Sequence, residues 1–363
     1  MADVDGEIGE HGVETEKNVG EKGHGELEAE SGVGEQGHEE LEAGSGVGEQ
    51  KRKSADVFES TIRQVALVST KSELESALPP IDRGKLYGCG KMLSSGAFGK
   101  VYLARRKSSG ESVALKVAYL RDHNPHALES IRNEICCMAA VSYHLNVVKL
   151  HDVFWLGYSN KMYCNSARVG LVMDYVKGSD LQIISKTMLT KLQTWSTVSQ
   201  VICALQHLHK HGIVHCDVKQ ENILIERQTG RAVLCDFGAA QFIDRINKLM
   251  LGGTLCFMSP ERIAQEEFGP KEDVWALGIM TYEMCTGTFY FDSHLSKDIL
   301  LRKLGRFRLY KKNTRAGETC NQFCAHTIAT RKKRWSLSDC AGFLKAVELW
   351  KPEPDKQLWA PLL

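Results

Sequence analysis

The chain has 363 residues and a formal net charge of +1, a length that allows a sizeable core and more than one domain. The near-neutral total hides two opposite regions, because residues 1–50 hold fifteen acidic groups against two lysines while residues 51–363 carry 44 basic and 30 acidic groups. The basic region has no aromatic-interleaved stripe, so we do not expect a nucleic-acid partner. No apolar run of about 18 residues occurs, so we expect no membrane span.

The cysteine pattern indicates the compartment. The twelve cysteines are scattered along the chain, and its first residues are acidic where a secretory leader would be basic and then apolar. We therefore expect an intracellular, reducing environment, either cytoplasm or nucleus. The densest group, Cys320, Cys324 and His326 with Cys340 further on, misses the two-residue spacing between paired cysteines that is usual in zinc sites. Ordinary thiols are favoured over a metal site.

An acidic repeat opens the chain. Residues 7–20, 21–34 and 35–48 repeat a 14-residue unit, and the last two copies match at eleven positions. Glycine, glutamate and serine dominate, so the copies lack the apolar positions of a coiled coil and are expected to be disordered. They are either a partner-binding or self-masking tail or a solvating product of replication slippage. The basic run at 51–53 then marks a boundary, as a nuclear signal or as a solvated hinge.

A linker with short helices follows at 51–84. Apolar residues fall at helical spacing from Asp56 onward and predict a first helix. Ser72 with Glu75 predicts a capping box at the start of a second short helix. The two prolines at 79–80 are expected to end that helix.

The next part predicts two lobes. Residues 86–118 alternate around a glycine turn and predict three antiparallel strands, and residues 126–141 predict a helix with one apolar stripe. Two more strands are predicted near 146–153 and 169–175. Beyond Lys177 the chain is mostly helical through the 340s. The pattern indicates an α+β fold with a small β-rich lobe and a larger α-rich lobe, and ligand pockets preferentially form where such lobes meet.

A glycine-containing turn lies between the first two predicted strands. It reads LSSGAFGKV at 93–101 and supplies Gly96 and Gly99. Glycines let backbone N–H groups approach a polyphosphate closely, although hairpins also use glycine. The next strand ends in Lys116, which on its own is typical of a solvated edge residue.

The segment IVHCDVKQENILI at 213–225, here named the catalytic loop, is the most informative stretch. Asp217, Lys219 and Asn222 place an acid, a base and an amide at short spacing between two apolar, β-like runs, which is typical of a catalytic loop on a rigid scaffold. The tripeptide DFG at 236–238 follows after a short predicted hairpin. Each residue alone would more often be a turn or capping residue, whereas their ordered combination favours catalysis.

This ordered set of motifs resembles the eukaryotic protein kinase superfamily, serine/threonine type. The resemblance implies a bilobal, protein kinase-like fold in which a β-rich N-lobe with one major helix precedes an α-helical C-lobe. It also implies transfer of the γ-phosphoryl group of MgATP to serine or threonine hydroxyls of protein substrates. The chain then divides into acidic repeats at 1–50, a linker at 51–84, a protein kinase domain at 85–347 and a C-terminal tail at 348–363.

The resemblance assigns catalytic roles. Lys116 is expected to contact the phosphates and to pair with Glu134, which borders the apolar helix stripe while Glu129 points further away from it. Asp217 is expected to accept or orient the proton of the substrate hydroxyl. Lys219 is expected to offset charge on the transferred phosphoryl group, because phosphoryl transfer depends mainly on positioning and charge neutralisation.

The cofactors ATP and Mg²⁺ are implied in the same way. Asn222 and Asp236 match the metal ligands, and carboxylate and amide oxygens suit hard Mg²⁺. The residues matched to the nucleotide site are Ser94, Gly96, Gly99, Val101, Ala114, Lys116, Met173, Asp174, Val176 and Leu224. The residues matched to the apolar column that aligns the lobes are Met138, Leu150, His215 and Phe237.

Two downstream segments strengthen the resemblance. GTLCFMSPE at 253–261 matches the end of the activation segment, the name used here for residues 236–261, and KEDVWALG at 271–278 matches the helix that anchors the catalytic loop through Asp273. Arg334 is expected to pair with Glu261. Small-molecule kinases share the short catalytic motif but lack these segments. The threonine in the first segment and the lysine two residues after the catalytic aspartate are typical of the serine/threonine branch.

Two positions and one segment depart from the family pattern. Ser94 replaces the first glycine of the glycine loop, and Cys216 replaces the arginine that precedes the catalytic aspartate. A thiol cannot make the charge-assisted contact by which that arginine binds a phosphorylated loop residue. Residues 238–253 also contain no serine, threonine or tyrosine. We therefore expect constitutive activity, or control by a regulatory partner or by the acidic tail.

Two alternatives remain open at this level. The rival function is that of a pseudokinase or kinase-shaped binding module, although Lys116, Asp217 and Asp236 are all present. Asp180 and Glu221 match positions that often contact basic residues upstream of the phosphorylated hydroxyl. Equally, Asp180 could bind ribose and Glu221 could be a structural acid.

Overall fold

The structure is a computed structural model. It divides the chain into two units, residues 1–50 and 51–363. The predictions made for residues 1–42, including disorder of the repeats, lie outside the described residues. The described ranges are 43–80, 86–96, 99–120, 126–159, 166–185, 189–246, 252–292, 295–306, 313 and 316–360.

The predicted linker helices form, with two corrections. The first helix is not short and does not begin near Asp56: it begins at Ala43, so the disorder predicted for the end of the third repeat is wrong for residues 43–48. Helix α1 spans Ala43–Leu67 and helix α2 spans Lys71–Ala77. The predicted capping box at Ser72 is wrong, because the helix begins earlier and Thr70 is its N-cap. The Oγ1 of Thr70 accepts a hydrogen bond from the N–H of Glu73 at 3.1 Å, and the Glu73 carboxylate accepts from the backbone N–H of Thr70 at 3.2 Å. Ser72 therefore lies inside the first turn.

The N-lobe is a five-stranded antiparallel sheet in the order β1-β2-β3-β5-β4, which confirms the predicted β-rich lobe. Helix α3, Ala127–Ala140, buries its apolar stripe in the main core. The strands are β1 Tyr87–Gly96, β2 Gly99–Arg106, β3 Ser112–Leu120, β4 Leu150–Ser159 and β5 Ser166–Asp174.

Strand β4 begins four residues later than the sequence predicted. Residues 146–148 bond instead to the segment before the DFG tripeptide, where Val148 N–H donates to the Leu234 carbonyl at 3.0 Å and Leu234 N–H donates to the Asn146 carbonyl at 2.8 Å. A backbone engaged in these bonds cannot also extend the sheet. The correction matters because these bonds join the N-lobe to the strands that carry the catalytic residues.

The C-lobe is mainly helical, as predicted, and its small strands carry the catalytic loop. Its helices are α4 Leu181–Ser185, α5 Lys191–Lys210, α6 Pro260–Ile263, α7 Lys271–Thr286, α8 Lys297–Arg306, α9 Gly317–Thr327, α10 Leu337–Ala346 and α11 Lys356–Trp359. Its strands are β6 Gly178–Asp180, β7 Ile213–Val214, β8 Ile223–Glu226, β9 Ala232–Leu234 and β10 Gln241–Phe242.

Helix α7 is the centre of the C-lobe. Most of its residues are buried on every side, which marks a helix inside a core and not on a surface. One hydrophobic cluster runs from this helix into the N-lobe. It includes the predicted apolar column, in which the His215 ring meets the Phe237 ring edge-on with centroids 5.1 Å apart. Among the described residues, no helix combines the length and the apolar character needed to cross a bilayer.

Candidate active site

Strand β3 presents Lys116 to the cleft between the lobes, and the side chain is buried. Its Nζ donates to Glu134 on helix α3 and to Asp236 Oδ1, the latter at 3.0 Å. Burial lowers the pKa of Lys116, but the carboxylates of Asp236 and Glu134 outweigh it and hold the pKa above its usual value. One ammonium therefore joins the sheet, the N-lobe helix and the DFG tripeptide.

The base of the catalytic loop is fixed by one buried carboxylate on helix α7. Asp273 accepts from the backbone N–H of His215 at 2.9 Å and of Cys216 at 2.8 Å, and its Oδ2 lies 2.8 Å from Nε2 of His209. Burial raises the pKa of Asp273, but the hydrogen bond and charge of His209 outweigh it and hold the pKa below its usual value. The loop is thus anchored by an ionised acceptor.

The His215 imidazole orients the loop from the other side. Burial lowers its pKa, so the ring is neutral. Its Nε2 lies 3.2 Å from the Cys235 carbonyl, and the N–H of Asp217 donates to its Nδ1 at 3.3 Å. A neutral ring has one donor and one acceptor nitrogen, so these two bonds assign the proton to Nε2. The ring therefore connects Asp217 to the strand before the DFG tripeptide.

Asp217 is held by three neighbours and is 4% exposed. The Nδ2 of Asn222 lies 3.0 Å from Oδ2, the Nζ of Lys219 lies 3.1 Å from the same oxygen, and the N–H of Thr254 donates to Oδ1 at 2.8 Å. Lys219 also donates to the Thr254 hydroxyl at 2.6 Å. The catalytic loop and the end of the activation segment therefore fix one carboxylate together.

The residues matched to Mg²⁺ lie beside this carboxylate. Cys235 N–H donates to the Asn222 carbonyl at 2.9 Å, which brings Asp236 next to Asn222. The Asn222 amide nitrogen faces Asp217, so its oxygen points away, and the Asp236 side chain is 35% exposed. Burial raises the pKa of Asp236, but Lys116 outweighs it and holds the pKa below its usual value. An ionised carboxylate and an amide oxygen fit a hard cation.

Most of the residues matched to the nucleotide site lie on the N-lobe sheet, while Val176 lies between β5 and β6 and Leu224 lies on β8. Ala114 pairs with Met173, and both side chains are buried. Asp174 differs from the others because its carboxylate binds His151 at 2.6 Å. Leu224 is half-buried.

The glycine turn is described except for residues 97 and 98. Gly99 has φ of +143°, and a Cβ there would lie 2.3 Å from the Val117 carbonyl oxygen, so this position requires glycine for the backbone itself. A Cβ at Gly96 would meet no atom within 4 Å. Ser94, in place of the usual first glycine, is exposed on β1 and pairs with Val101.

A protein kinase domain model matches residues 87–343. The chain belongs to the protein kinase family. The kinase domain is 34% identical over 219 residues to serine/threonine-protein kinase STE20 of Yarrowia lipolytica and to serine/threonine-protein kinase shk1/pak1 of Schizosaccharomyces pombe, a stretch that covers 60% of this chain. It is 29% identical over 216 residues to Aurora kinase C of Mus musculus, 59% of this chain and 74% of that protein. The chain spans 18% and 31% of the length of the first two relatives.

The kinase domain contains one buried ion pair that sequence reasoning missed. Arg262 on α6 is 1% exposed and pairs with Glu272 at 3.2 Å. Its position directly after the Ser-Pro-Glu tripeptide gives no local signal of burial, since arginine is usually exposed. The predicted pair of Arg334 with Glu261 is present, with contacts of 2.6 and 3.2 Å.

The described side chains of the cysteine group near the C-terminus of the kinase domain point to different surroundings. Cys320 and Cys324 lie on α9 with sulfur atoms 3.7 Å apart, whereas the His326 ring stacks on Trp335 with centroids 4.2 Å apart. In the part of the chain that the structure describes, no three His, Cys, Asp or Glu side chains converge as a metal site.

Sequence reasoning also missed a buried acid next to the catalytic loop. Glu283 on α7 is 7% exposed and accepts from the Tyr290 N–H at 3.2 Å. Burial, together with the neighbouring charge of Glu221, raises the pKa of Glu283 to about 7 against the opposing effect of its hydrogen bonds. Glu221 itself accepts from Gln182 Nε2 at 3.0 Å. Asp180 accepts from the Ile183 N–H at 2.8 Å and so begins helix α4.

Glu283 should make stability depend on pH. Between about pH 4.5 and about pH 7 the folded chain keeps a proton that the unfolded chain has released, so the free energy of unfolding falls as pH rises through this range. We expect Glu283→Gln to remove this pH dependence. Between about pH 5 and about pH 8, the free energy of unfolding of the variant should therefore rise relative to that of the parent by up to about 3 kcal/mol. Urea unfolding at the two pH values measures it. Glu266→Gln, at an exposed site, is the control, and parallel behaviour of parent and Glu283→Gln would contradict the assignment.

Proposed function

We propose that this chain is an active serine/threonine protein kinase that transfers the γ-phosphoryl group of ATP to hydroxyls of protein substrates. The observation that carries the proposal is the Lys116 ammonium bound to both Glu134 and Asp236. This arrangement aligns the N-lobe lysine with the metal-binding side of the cleft, as phosphoryl transfer requires. The family membership and the serine/threonine kinase relatives support it.

Each polar residue then has a role in the proposed reaction. Lys116 binds the phosphates of ATP, and Glu134 holds the ammonium in place. Asp217 accepts or orients the proton of the substrate hydroxyl, for which a fixed carboxylate oxygen is needed. Lys219, already between Asp217 and Thr254, lies where it can offset negative charge on the transferred group. The fixed donors cost no reorganisation during transfer.

Asn222 and Asp236 are the residues that would hold Mg²⁺. Mg²⁺ held there would supply positive charge that offsets the charge of the phosphates. The adenine and ribose are proposed to lie against Val101, Ala114, Met173 and Val176 above and Leu224 below. The Asp174 carboxylate binds His151, so we assign the contact of Asp174 with the nucleotide to its backbone. The glycine turn, with Ser94, Gly96 and Gly99, covers the phosphates.

The proposed activity does not require phosphorylation of the activation segment. Cys216 leaves the catalytic loop without its usual arginine, and burial raises the pKa of this thiol well above its usual value, so it is neutral. A neutral thiol offers no binding site for a phosphate. The segment that would carry the phosphate has no hydroxyl between residues 238 and 253.

A preference for basic residues in the substrate is also proposed. Glu221 is exposed within the catalytic loop, and an exposed carboxylate attracts a cation. Asp180 is less suited to this role, because one carboxylate oxygen already caps a helix.

Regulation and location are proposed from charge and thiol chemistry. An acidic tail at 1–50 could compete with basic substrates, and deletion of that tail should then raise activity most at low salt, because salt screens the attraction. An intracellular location, in cytoplasm or nucleus, is supported by the eleven cysteines of the described residues, which are all free thiols.

Substitutions of Asp217 and Lys116 should separate catalysis from ATP binding. Asp217→Asn should lower the rate of phosphate transfer to a general protein substrate by at least about 100-fold, because the amide cannot accept the hydroxyl proton. Its affinity for ATP should stay near that of the parent. Lys116→Met should lower transfer similarly and also weaken ATP binding. If parent and both variants transfer phosphate at the same background rate, the rival function of a kinase-shaped binding module is correct.

A second prediction concerns activation. Protein treated with a broad phosphatase should keep most of its kinase activity, and the masses of its proteolytic peptides should show no phosphate between residues 236 and 261. The physical reason is that the catalytic loop contains no arginine that could bind a phosphate. A relative with a phosphorylated activation segment is the positive control for the phosphatase. Loss of most activity in step with loss of phosphate would contradict the proposal.

A third prediction concerns specificity. A peptide library varied upstream of the phosphorylated serine should show enrichment of arginine and lysine. Glu221→Gln should reduce that enrichment by about two- to fivefold, the size expected for an exposed ion pair. Glu226→Gln, at the far end of β8, is the matched control and should leave the preference unchanged. If the parent shows no enrichment of arginine or lysine in the library, the proposed preference for basic residues is wrong.

A further inference from the structure

The two sides of Cys216 are bound by different helices. The residue has φ of 65°, a left-handed conformation that residues other than glycine rarely adopt. Its N–H donates to Asp273 Oδ1 at 2.8 Å, and its carbonyl accepts from Arg262 Nη1 at 2.5 Å. Asp273 on α7 and Arg262 on α6 together hold the backbone one residue before the catalytic aspartate in an uncommon conformation.

The same guanidinium also binds the activation segment. Its second terminal nitrogen, Nη2, donates to the carbonyl of Gly252. The next residue, Gly253, has φ of +99°, and a Cβ there would lie 2.7 Å from the Cys216 carbonyl oxygen. The N–H of Thr254 then donates to Asp217 Oδ1. The Arg262 contact therefore lies two residues before the N–H that fixes the catalytic carboxylate.

The surroundings of Arg262 compensate its charge. The Oε1 of Glu272 lies 3.2 Å from Nη1, and the guanidinium lies over the Phe268 ring, 5.3 Å from its centroid. Arg262 is 1% exposed and Glu272 is 2% exposed. A buried and neutralised guanidinium cannot receive a phosphate from solvent, in contrast to an exposed arginine that binds phosphorylated residues.

We propose that Arg262 is a positioning residue for phosphoryl transfer, which ties the catalytic loop to residues 252–254 from inside the fold and so keeps Asp217 in its reactive orientation. The inference rests on the proposed kinase function and deepens its regulation. Cys216 leaves the catalytic loop without a guanidinium, and Arg262 supplies one from α6 with a carboxylate as its permanent partner. The order of the activation segment is then part of the folded state and does not depend on modification.

The test compares Arg262→Met and Arg262→Lys with the parent. The methionine variant should lower kcat by at least about tenfold, because a displaced catalytic carboxylate loses its alignment. The dissociation constant of MgATP should change by less than about twofold, because binding does not require that alignment. The lysine variant keeps the charge and one donor and should recover part of the rate. Hydrogen–deuterium exchange of the 252–254 amides should be faster in the methionine variant.

A stability control separates positioning from a merely structural role. Gly230 has φ of +72° and a Cβ there would lie 2.4 Å from the Asp355 carbonyl oxygen, so Gly230→Ala should lower the melting temperature without touching Arg262 or helix α7. At a temperature where both proteins are folded, its kcat should equal that of the parent. If the methionine variant does not fold, the lysine variant carries the same comparison.

Two results decide whether Arg262 is a positioning residue. Folded Arg262 variants with parental kcat and parental exchange at 252–254 would overturn the proposal. If the parent itself transfers no phosphate, the proposed function fails, and the exchange measurement still decides whether Arg262 orders this segment: faster exchange supports that part, and unchanged exchange overturns it.

Discussion

The carboxylate of Asp273 accepts hydrogen bonds from two consecutive backbone N–H groups, those of His215 and Cys216, and from the imidazole of His209. A buried charge is costly unless it is hydrogen-bonded, and here the required donors come from the catalytic loop itself. The same hydrogen bonds therefore stabilise the Asp273 carboxylate and fix the conformation of the catalytic loop. The left-handed conformation of Cys216 is held by this acceptor on its N–H together with the Arg262 donor on its carbonyl.

Two further ties connect this anchor to the rest of the cleft. The ammonium of Lys116 binds carboxylates from the N-lobe helix and from the DFG tripeptide, while Thr254 brings the end of the activation segment to Asp217. Both ties use buried charge, whose interactions are strong where water is excluded. The residues proposed to carry phosphoryl transfer are thus preorganised through contacts within the chain, as the proposed independence from an added phosphate requires.

Much of this arrangement could be predicted from the sequence, because its signals are local or ordered. Alternation of apolar residues predicted the first three strands, the apolar stripe predicted helix α3, and the order of the motifs brought Lys116, Glu134 and Asp217 to one site. The capping box failed because two overlapping patterns, at Thr70 and at Ser72, satisfy the same local rule. Only packing chooses between them: the chosen start directs Leu74 into the core with 0% exposure.

Long-range contacts explain the other misses. The start of β4 depends on hydrogen bonds between residues 146–148 and Leu234, which no local pattern indicates. Arg262 follows the Ser-Pro-Glu tripeptide as an ordinary charged residue, and its burial depends on Glu272 and Phe268 arriving from later in the chain. Glu283 is one acid in an apolar helix, and its raised pKa arises from burial and from the neighbouring charge of Glu221, both of which depend on the fold.

The most direct measurement is the steady-state kinetics of Asp273→Asn beside its affinity for MgATP. An asparagine has the same shape, but its amide nitrogen would face N–H donors in place of an acceptor oxygen, so the catalytic loop should lose its anchor. The account predicts that kcat falls by about 100-fold, the cost of a small misplacement of catalytic groups, while MgATP binding stays within about twofold of the parent. A folded variant with parental kcat would contradict it, because the catalytic loop would then hold its geometry without the Asp273 carboxylate.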